Sequence, residues 1–378
     1  MLIGFPKENI SSETRISILP ALVKKYTNLG IKVGIEAGIG ERLYIEDQQF
    51  AANGAEIFTD KNKLLSTADM VVRVKKSTTF EIALLKPNSV HISFLDPFNE
   101  SDLISNFAAH SVNSISMEMI PRTTKAQKMD AISSQANLAG YAAVILASQH
   151  SPKAFPMMVT AAGTIDPSKV FIIGVGVAGL QAIATAKRLG ARVEAFDMRK
   201  ETEEQVKSLG ARFVKIDLGE TEQTKDGYAK ALTSEQLAKQ RQEMTKVCAR
   251  SDIIITTAQV FGKRAPILIT KEMIQQMQPG TVIIDMAVAS GGNVEGSVLG
   301  EDVVINKVKI IGHDNLAGTI ALHASQMYAN NVYHLVEHFW DKEKVMFNVE
   351  DEDEIMQGCL LTLNGAIIHP KLKKEVTE

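Results

Sequence analysis

The stretch KVFIIGVGVAGLQAIATAKRLGARVEAFD, residues 169–197, decides the fold. It begins with an apolar run that predicts a β-strand, continues with a helical pattern over residues 178–189 and returns to a strand pattern. Between the first strand and the helix lie the glycines of a G-x-G-x-x-G turn, Gly174, Gly176 and Gly179. In such a turn the first glycine permits a tight bend, the second lets the backbone approach a pyrophosphate, and the third lets the helix pack closely on the sheet. The stretch therefore predicts a β-α-β unit of an α/β fold.

An acidic residue closes the second strand of this unit. Asp197 lies 18 residues after Gly179, where a carboxylate can accept hydrogen bonds from both hydroxyls of an adenosine ribose and repel a 2′-phosphate. Arg199 follows two residues later and leaves open how strict the resulting preference for NAD over NADP is. A G-x-G-x-x-G pattern on its own also fits a plain strand–helix turn, but here the strand, the helix and the acid agree on a dinucleotide site. The candidate cofactor-binding residues of the stretch are Gly174, Gly176, Val177, Gly179, Asp197 and Met198.

Apolar runs typical of strands recur on both sides of this unit. They cover residues 1–5, 32–37, 55–58, 69–74, 89–95, 113–119, 169–174, 192–197, 212–216, 252–257, 281–287 and 308–314. Helical patterns lie between them, which favours parallel sheets covered on both faces. We predict an α/β fold of two doubly wound Rossmann-like domains with a cleft between them. The N-terminal domain is discontinuous, residues 1–132 plus 323–378, and the dinucleotide-binding Rossmann domain covers residues 133–322.

Composition excludes several classes of protein. The 378 residues carry a formal net charge of -3, so there is no basic excess to neutralise nucleic-acid phosphates. The two cysteines, Cys248 and Cys359, cannot form a disulfide framework, and no Cys/His spacing suggests a metal site. The N-terminus lacks the pattern of a secretory signal, and the longest uncharged stretch tested, residues 131–149, contains polar side chains that are costly in a membrane span. We therefore expect a cytoplasmic protein with no metal, no nucleic-acid partner and no membrane span of its own.

A polar segment, PRTTKAQKMDAISSQANLAGY at residues 121–141, interrupts the alternation of strands and helices. One interpretation is a hinge between the domains whose polar groups are solvated. The other is a loop over the cleft, in which Gln127, Asp130 and Ser133 hydrogen-bond a nicotinamide amide. In that case Arg122 would neutralise a phosphate or fix Asp130 by a charge-assisted pair. The residues alone leave both interpretations open.

This loop resembles that of the NAD(H)-binding component, domain I, of proton-translocating nicotinamide nucleotide transhydrogenases. The chain is most similar to the form in which that component is a separate first α subunit, and the resemblance runs over essentially all 378 residues. Besides the loop, it rests on the motifs GFPKE at 4–8, ETRISILP at 13–20, GVGVAGLQAIATAKRLGA at 174–191, TTA at 256–258, PGTVIIDMAV at 279–288 and GGN at 291–293.

The resemblance implies roles for individual residues. Arg122, Gln127 and Asp130 match a loop that contacts the nicotinamide side of NAD(H) where hydride is transferred, so they are the candidate catalytic residues. Ser133 matches a serine that hydrogen-bonds the carboxamide and is placed with them. Tyr228 matches the tyrosine of a mobile loop that closes over the bound nucleotide.

Two further places complete the candidate cofactor-binding set. Thr257 and Ala258 belong to the matching TTA motif. Asn315 and Leu316 follow the last predicted strand of the Rossmann domain, and cofactors bind at the carboxyl ends of strands in such sheets. These four residues are expected to line the nucleotide.

The resemblance also implies an activity and partners. In the family, NADH on this component passes its hydride directly to NADP⁺ on a partner, and membrane subunits couple the step to proton translocation. We expect a homodimer that docks on an NADP(H)-binding β subunit and a small membrane α subunit. Those partners would hold this chain peripherally on the cytoplasmic side of the inner membrane. Direct transfer requires the positioning of two nicotinamides rather than a general acid or base.

The related alanine dehydrogenases offer an alternative. They share the fold and the glycine turn, and Arg15 and Lys75 fall where their substrate-binding arginine and lysine lie. However, Asp96 stands in place of their catalytic histidine and Ala289 in place of their catalytic aspartate, which leaves no evident agent for proton transfer. Ala289 also departs from domain I, where a glutamate is common. His91 is interpreted as a core residue within a strand. An NAD-sensing module that passes no hydride is a third possibility, and the intact loop argues against it.

Overall fold

The computed structural model describes residues 1–217, 233–349 and 352–373. The chain forms two compact units, one of residues 1–135 and 318–378 and the other of residues 136–317. The second unit is therefore inserted into the first along the chain. Among the helices of the described residues, none is both long enough and apolar enough to cross a membrane.

The first unit is built on a parallel sheet. Its strands are β1 (Leu2–Phe5), β2 (Lys32–Glu36), β3 (Ala55–Phe58), β4 (Met70–Val72), β5 (Val90–Ser93) and β6 (Asn113–Ser116). They lie in the order β3-β2-β1-β4-β5-β6, and each neighbouring pair is parallel. The connecting helices are α1 (Pro20–Asn28), α2 (Asp47–Ala51), α3 (Lys61–Thr67), α4 (Thr79–Leu84) and α5 (Ser101–Ala109). This arrangement confirms the predicted α/β class.

Local sequence explains where these helices begin. Pro20 occupies the first turn of α1, where its missing N–H removes no intrahelical bond, and Leu22, Val23 and Tyr26 of that helix are buried. Thr78 begins α4 with a reciprocal capping box, in which its side chain accepts from the Glu81 N–H. Strands β5 and β6 are buried along their whole length, as expected for a sheet covered on both faces.

The second unit is built on a second, largely parallel sheet. Helix α6 (Ala131–His150) leads into it, followed by the strands β7 (Met158–Thr160), β8 (Gly163–Ile165), β9 (Lys169–Ile173), β10 (Arg192–Phe196), β11 (Arg212–Phe213), β12 (Ile253–Thr256), β13 (Val282–Asp285), β14 (Asp302–Ile305) and β15 (Val308–Ile311). Its helices are α7 (Val177–Arg188), α8 (Thr202–Ser208), α9 (Ser234–Cys248) and α10 (Lys271–Gln275). The sheet has the order β11-β10-β9-β12-β13-β15-β14, in which β14 is antiparallel to β15.

The strand order places a switch point beside β9. The chain moves from β9 outward through β10 to β11 and then crosses to β12 on the other side of β9. In such sheets the crevice between the two central strands opens at their carboxyl ends, where ligands bind. The glycine turn follows β9 and therefore lies at this point.

The C-terminal segment returns to the first unit. After a 3₁₀ turn at Ala317–Ile320 it forms α11 (Ala321–His338), β16 (Trp340–Asp341), β17 (Met346–Phe347), α12 (Glu354–Cys359), β18 (Thr362–Leu363) and β19 (Ala366–Ile367). Tyr328 of α11 is fully buried and its hydroxyl donates to the Arg73 carbonyl at 2.6 Å. The backbone N–H of Ser114 donates to the Thr362 hydroxyl at 2.9 Å, and Ile115 bridges to Leu360. The return thus completes the core around the first sheet.

Several elements differ from the sequence-based expectations. The run at 212–216 forms only the two-residue β11, and the run at 113–119 leaves the strand after Ser116 and turns into a 3₁₀ helix. The β7–β8 hairpin was not predicted, because its residues are all exposed and show no alternation between buried and exposed positions. The antiparallel edge strand β14 was also not predicted.

Candidate functional site

The first and third glycines of the turn after β9 are required by close contacts. Gly174 has φ +97°, and a methyl group there would come within 2.6 Å of the Thr257 hydroxyl oxygen. A methyl group on Gly179 would lie 2.0 Å from the Gly174 carbonyl oxygen. Any side chain at either position would push the start of α7 away from β9 and β12.

Gly176 is different, because it faces open space. A methyl group there would meet nothing within 4 Å. Gly176 precedes α7, no side chain caps that helix, and its first turn contains no acidic residue. Val177 follows with 40% of its surface exposed. The backbone N–H groups at this helix start therefore face room for a phosphate-bearing ligand, which fits the role predicted for the turn.

Asp197, directly after β10, contacts the turn itself. Its Oδ2 accepts from the Val175 N–H at 2.7 Å. Its Oδ1 accepts from the Arg199 backbone N–H at 2.9 Å, and the Arg199 guanidinium pairs with both oxygens at 3.0 Å. Met198, between them, is half-buried and packs against a neighbouring apolar cluster. The acid is thus brought beside the glycine turn, as predicted, but with an arginine bound to it.

Thr257 and Ala258 follow β12 and are fixed next to the turn. The Thr257 hydroxyl donates to the Gly174 carbonyl at 3.0 Å. The Ala258 N–H donates to Asn293 Oδ1 at 3.1 Å, and Asn293 Nδ2 donates to the carbonyls of Ala258 and Pro266 at 2.9 and 2.8 Å. Asn293 is fully buried, so all these bonds lie away from water.

A buried carboxylate holds Asn293 in place. Asp285, at the end of β13, accepts from the backbone N–H groups of Ala287, Asn293 and Val294 and from the Thr256 hydroxyl. Asp285 and Asn293 were not among the predicted site residues. The signal for Asn293 was its place in the GGN motif, which sequence reasoning used only for the resemblance.

The predicted catalytic loop lies in the first unit and ends at the start of α6. Asp130 Oδ1 accepts from the Ser133 N–H at 2.8 Å and its Oδ2 accepts from the Ser133 hydroxyl at 2.6 Å. Asp130 therefore acts as the N-cap of α6. The suggested pair between Arg122 and Asp130 is not formed, because Ser133 occupies the carboxylate.

The loop is anchored from below. Ala126 and Met129 are buried, and Asn331 of α11 donates to the Lys128 carbonyl at 2.8 Å. Arg122 and Gln127, on the same loop, are exposed. Within the part of the chain that the structure describes, the Arg122 guanidinium has no hydrogen-bond or ion-pair partner. The loop is thus fixed by its apolar residues while two of its polar side chains remain available to a ligand.

The remaining predicted residues have different placements. Asn315 and the buried Leu316 follow β15 at the carboxyl end of the second sheet. Tyr228 lies outside the described residues. The structure therefore gathers Gly174, Asp197, Thr257 and Ala258 in the second unit, and Arg122, Gln127, Asp130 and Ser133 in one loop of the first. Among the described residues no group of three or more histidine, cysteine, aspartate or glutamate side chains could hold a metal ion.

The residues relevant to the alternative reaction lie in the first unit, apart from Ala289. Arg15 is buried and pairs with both carboxylate oxygens of Glu13, at 2.8 and 2.7 Å, and with Gln135 at 2.9 Å. Burial opposes ionisation of Glu13, but the hydrogen bonds and charge of Arg15 hold its pKa below the ordinary value. Asp96 and Ala289 are both exposed.

Comparisons with known proteins agree with this arrangement. The family described as "Alanine dehydrogenase/PNT, N-terminal domain" matches residues 4–139, and "Alanine dehydrogenase/PNT, C-terminal domain" matches residues 143–370. The first portion of NAD(P) transhydrogenase subunit alpha from Rhodospirillum rubrum, a separate chain, is 43% identical over 379 aligned positions, covering 98% of this chain and 99% of the relative.

A solved structure and a more distant relative extend the comparison. The crystal structure of transhydrogenase from Sinorhizobium meliloti superposes with a TM-score of 0.85 at 38% identity, covering 98% of this chain and 100% of the other. Alanine dehydrogenase of Methanococcus maripaludis is 27% identical over 298 positions, or 78% of this chain and 74% of the relative. The chain therefore belongs to the alanine dehydrogenase/PNT family and, within it, to the proteins that form the first portion of NAD(P) transhydrogenase subunit alpha.

Proposed function

We propose that this chain binds NAD(H) and exchanges hydride directly with NADP(H) held by a partner subunit, within a complex whose membrane subunits couple the step to proton translocation. The observation that carries the proposal is the convergence of the glycine turn, Asp197 and Thr257 at the switch point of the second sheet. Kinship with transhydrogenase subunits supports an oxidoreductase role.

The chain's own residues have separate tasks in this proposal. The N–H groups around Gly176 bind the pyrophosphate, and Asp197 binds the adenosine ribose. Thr257, Ala258, Asn315 and Leu316 line the nucleotide, while Val177 and Met198 flank the phosphate turn and the ribose. The nicotinamide, when bound, supplies the hydride chemistry.

The loop of the first unit orients the nicotinamide. Arg122 and Gln127 are exposed and contact the nicotinamide side of the nucleotide, and Asp130 and Ser133 supply polar atoms for the carboxamide. Because hydride moves between two nicotinamides, these residues act by positioning and by excluding water. Tyr228 closes over the nucleotide. In this scheme residues 1–132 with 323–378 form the loop-bearing domain, and residues 133–322 form the NAD(H)-binding domain.

The partners follow from the same kinship. The relatives are named as subunits, which supports a complex of several chains. We place this chain as a homodimer on an NADP(H)-binding β subunit and a small membrane α subunit. It would then work in the cytoplasm, held peripherally at the inner membrane by those partners.

A cyclic hydride-transfer assay tests the proposal. The chain is mixed with an NADP(H)-binding partner domain, NADH and an oxidised NAD analogue, and turnover is followed spectroscopically. Gln127→Asn should slow transfer more than it weakens NADH binding, because it changes geometry. Lys128→Ala is the matched control, since Lys128 is exposed in the same 3₁₀ turn at Gln127–Met129.

The outcomes separate the alternatives. Zero turnover despite NADH binding would contradict the transhydrogenase function and favour an NAD-sensing module. Reductive amination of pyruvate by the chain alone would favour an alanine dehydrogenase. We expect none, because exposed Asp96 and Ala289 stand where that enzyme needs a histidine and an aspartate.

A further inference from the structure

The carboxylate of Asp197 has no spare acceptor position. Each of its two oxygens accepts from two donors: Oδ1 from the backbone N–H and Nε of Arg199, at 2.9 and 3.0 Å, and Oδ2 from Val175 N–H and Arg199 Nη2, at 2.7 and 3.0 Å. A carboxylate offers about four acceptor sites in total. Only 10% of the Asp197 side chain is exposed. Ribose hydroxyls can therefore reach this acid as donors only if one of the present donors leaves.

The four donors are not equally free to leave. The Val175 N–H belongs to the glycine turn, and the Arg199 backbone is held because its carbonyl accepts from the Thr202 hydroxyl at 2.7 Å and the Thr202 N–H at 3.3 Å. Thr202 is buried. The Arg199 guanidinium, in contrast, ends a long side chain that is 33% exposed. Its Nη2 also donates to the Val175 carbonyl, but over a longer distance of 3.2 Å.

We propose that Arg199 sets the dinucleotide specificity of the site by acting as a movable cover on Asp197. In the absence of nucleotide, the guanidinium occupies the carboxylate. When a nucleotide binds, the side chain leaves the carboxylate to the ribose hydroxyls and stays close enough to pair with a phosphate at the 2′ position. This inference rests on the proposed NAD(H) function, since it concerns the ribose end of the same site.

Two opposite effects follow from this arrangement. Arg199 competes with the ribose hydroxyls of NADH, so it lowers the affinity for NADH. It also neutralises Asp197 and offers a planar, permanently charged donor to a 2′-phosphate, so it raises the affinity for NADPH. Asp197 alone would therefore discriminate more strongly than the pair does.

Equilibrium binding to four ligands tests the inference. Dissociation constants for NADH, NADPH, 5′-AMP and 2′,5′-ADP are measured for the full chain and for the variants Arg199→Gln and Arg199→Lys. Arg192→Gln is the matched control, because Arg192 begins the same strand β10, is exposed and removes the same charge without contacting Asp197. The fragments isolate the ribose end of the site from the nicotinamide end.

The ratio of dissociation constants is the decisive quantity. In Arg199→Gln, NADH and 5′-AMP should bind more tightly, NADPH and 2′,5′-ADP more weakly, and the NADPH/NADH ratio should rise by about tenfold or more. Arg199→Lys keeps the charge on a single-point donor, so NADH should tighten while the ratio stays within about twofold of the wild type. Arg192→Gln should change neither quantity.

Each result leads to one conclusion. If the wild type binds NADH but Arg199→Gln leaves the ratio unchanged or weakens both dinucleotides equally, the inference is wrong and the proposed function stands. If the wild type binds no NADH, the proposed function fails and the inference fails with it. Should Arg199→Gln not fold, an unchanged or weaker NADH affinity in Arg199→Lys overturns the inference.

Discussion

Burial determines how His91 titrates. This residue of β5 is fully buried, its Nε2 lies 3.1 Å from the Ser93 hydroxyl, its ring packs near Phe107, and its Nδ1 has no hydrogen-bond partner among the described residues. Burial, assisted by the nearby charge of Arg73, lowers the pKa of His91 from 6.5 to about 3. The interpretation of His91 as a core residue is confirmed, although only one of its ring nitrogens is satisfied.

This pKa makes stability depend on pH. Between pH 3 and 6.5 the unfolded chain binds a proton at His91 that the folded chain does not, so stability is complete above that range and falls as the pH decreases. The loss approaches about 1.4 kcal/mol per pH unit near pH 5. His91→Gln should remove this part of the slope of unfolding free energy against pH, measured by denaturant titration. The exposed His323→Gln should keep the slope, and an unchanged slope in His91→Gln would contradict the assignment.

Two glycines of the turn should respond differently to the same substitution. Gly176→Ala adds a methyl group where nothing lies within 4 Å, so the protein should fold normally but lose NADH affinity, because the methyl occupies the space meant for the pyrophosphate. Gly179→Ala places the methyl 2.0 Å from the Gly174 carbonyl oxygen and should lower both stability and affinity. Thermal melting combined with NADH titration distinguishes the two. Wild-type NADH affinity in Gly176→Ala would show that the nucleotide does not approach the backbone there.

At the scale of elements, a buried amide connects β12 and β13 to the glycine turn. Asn293 bonds to Ala258 and Pro266, and it is in turn held by Asp285. Asn293→Ala should leave a buried N–H and two carbonyl groups without partners and cost about 2–4 kcal/mol. Chemical denaturation measures this cost.

The matched control is an exposed amide in the same unit. Gln276→Ala, at the end of α10, should change the unfolding free energy by less than about 0.5 kcal/mol. An equal effect of the two substitutions would mean that the buried amide is not holding the loop.

The sequence predicted those elements whose pattern depends on burial. The unit β9–α7–β10 was predicted because its strands are continuously apolar and its glycines have one structural use. The β7–β8 hairpin was not, because each of its residues faces solvent. The roles of Asn293 and Arg199 could not be predicted, because they depend on side-chain contacts: one reaches 35 residues back along the chain, and the other fills an acid that the pattern alone presents as free.

At the scale of the whole molecule, the two units should differ in their ability to fold alone. Residues 131–317 contain the complete second sheet and its helices, so this fragment should fold cooperatively. Residues 1–135 contain the first sheet but lack α11 and the segment that pairs with β6, and Tyr328, Val332 and Val336 are part of its core. This fragment should remain without fixed tertiary structure.

Near-ultraviolet circular dichroism and hydrogen exchange compare the two fragments. Adding residues 318–378 to the fragment 1–135 should increase its protection from exchange. Cooperative unfolding of residues 1–135 alone would contradict the expectation.

The insertion of one unit into the other has a consequence for biosynthesis. A ribosome releases the six strands of the first sheet early, yet the helix that covers them follows only after the 182 residues of the second unit. At about 5–20 residues per second, the nascent sheet waits roughly 10–40 seconds with apolar surface uncovered. The second unit, made later, can finish first. During that interval the N-terminal segment is the region of the newborn chain that most needs a chaperone, and slower translation of residues 136–317 would lengthen its exposure.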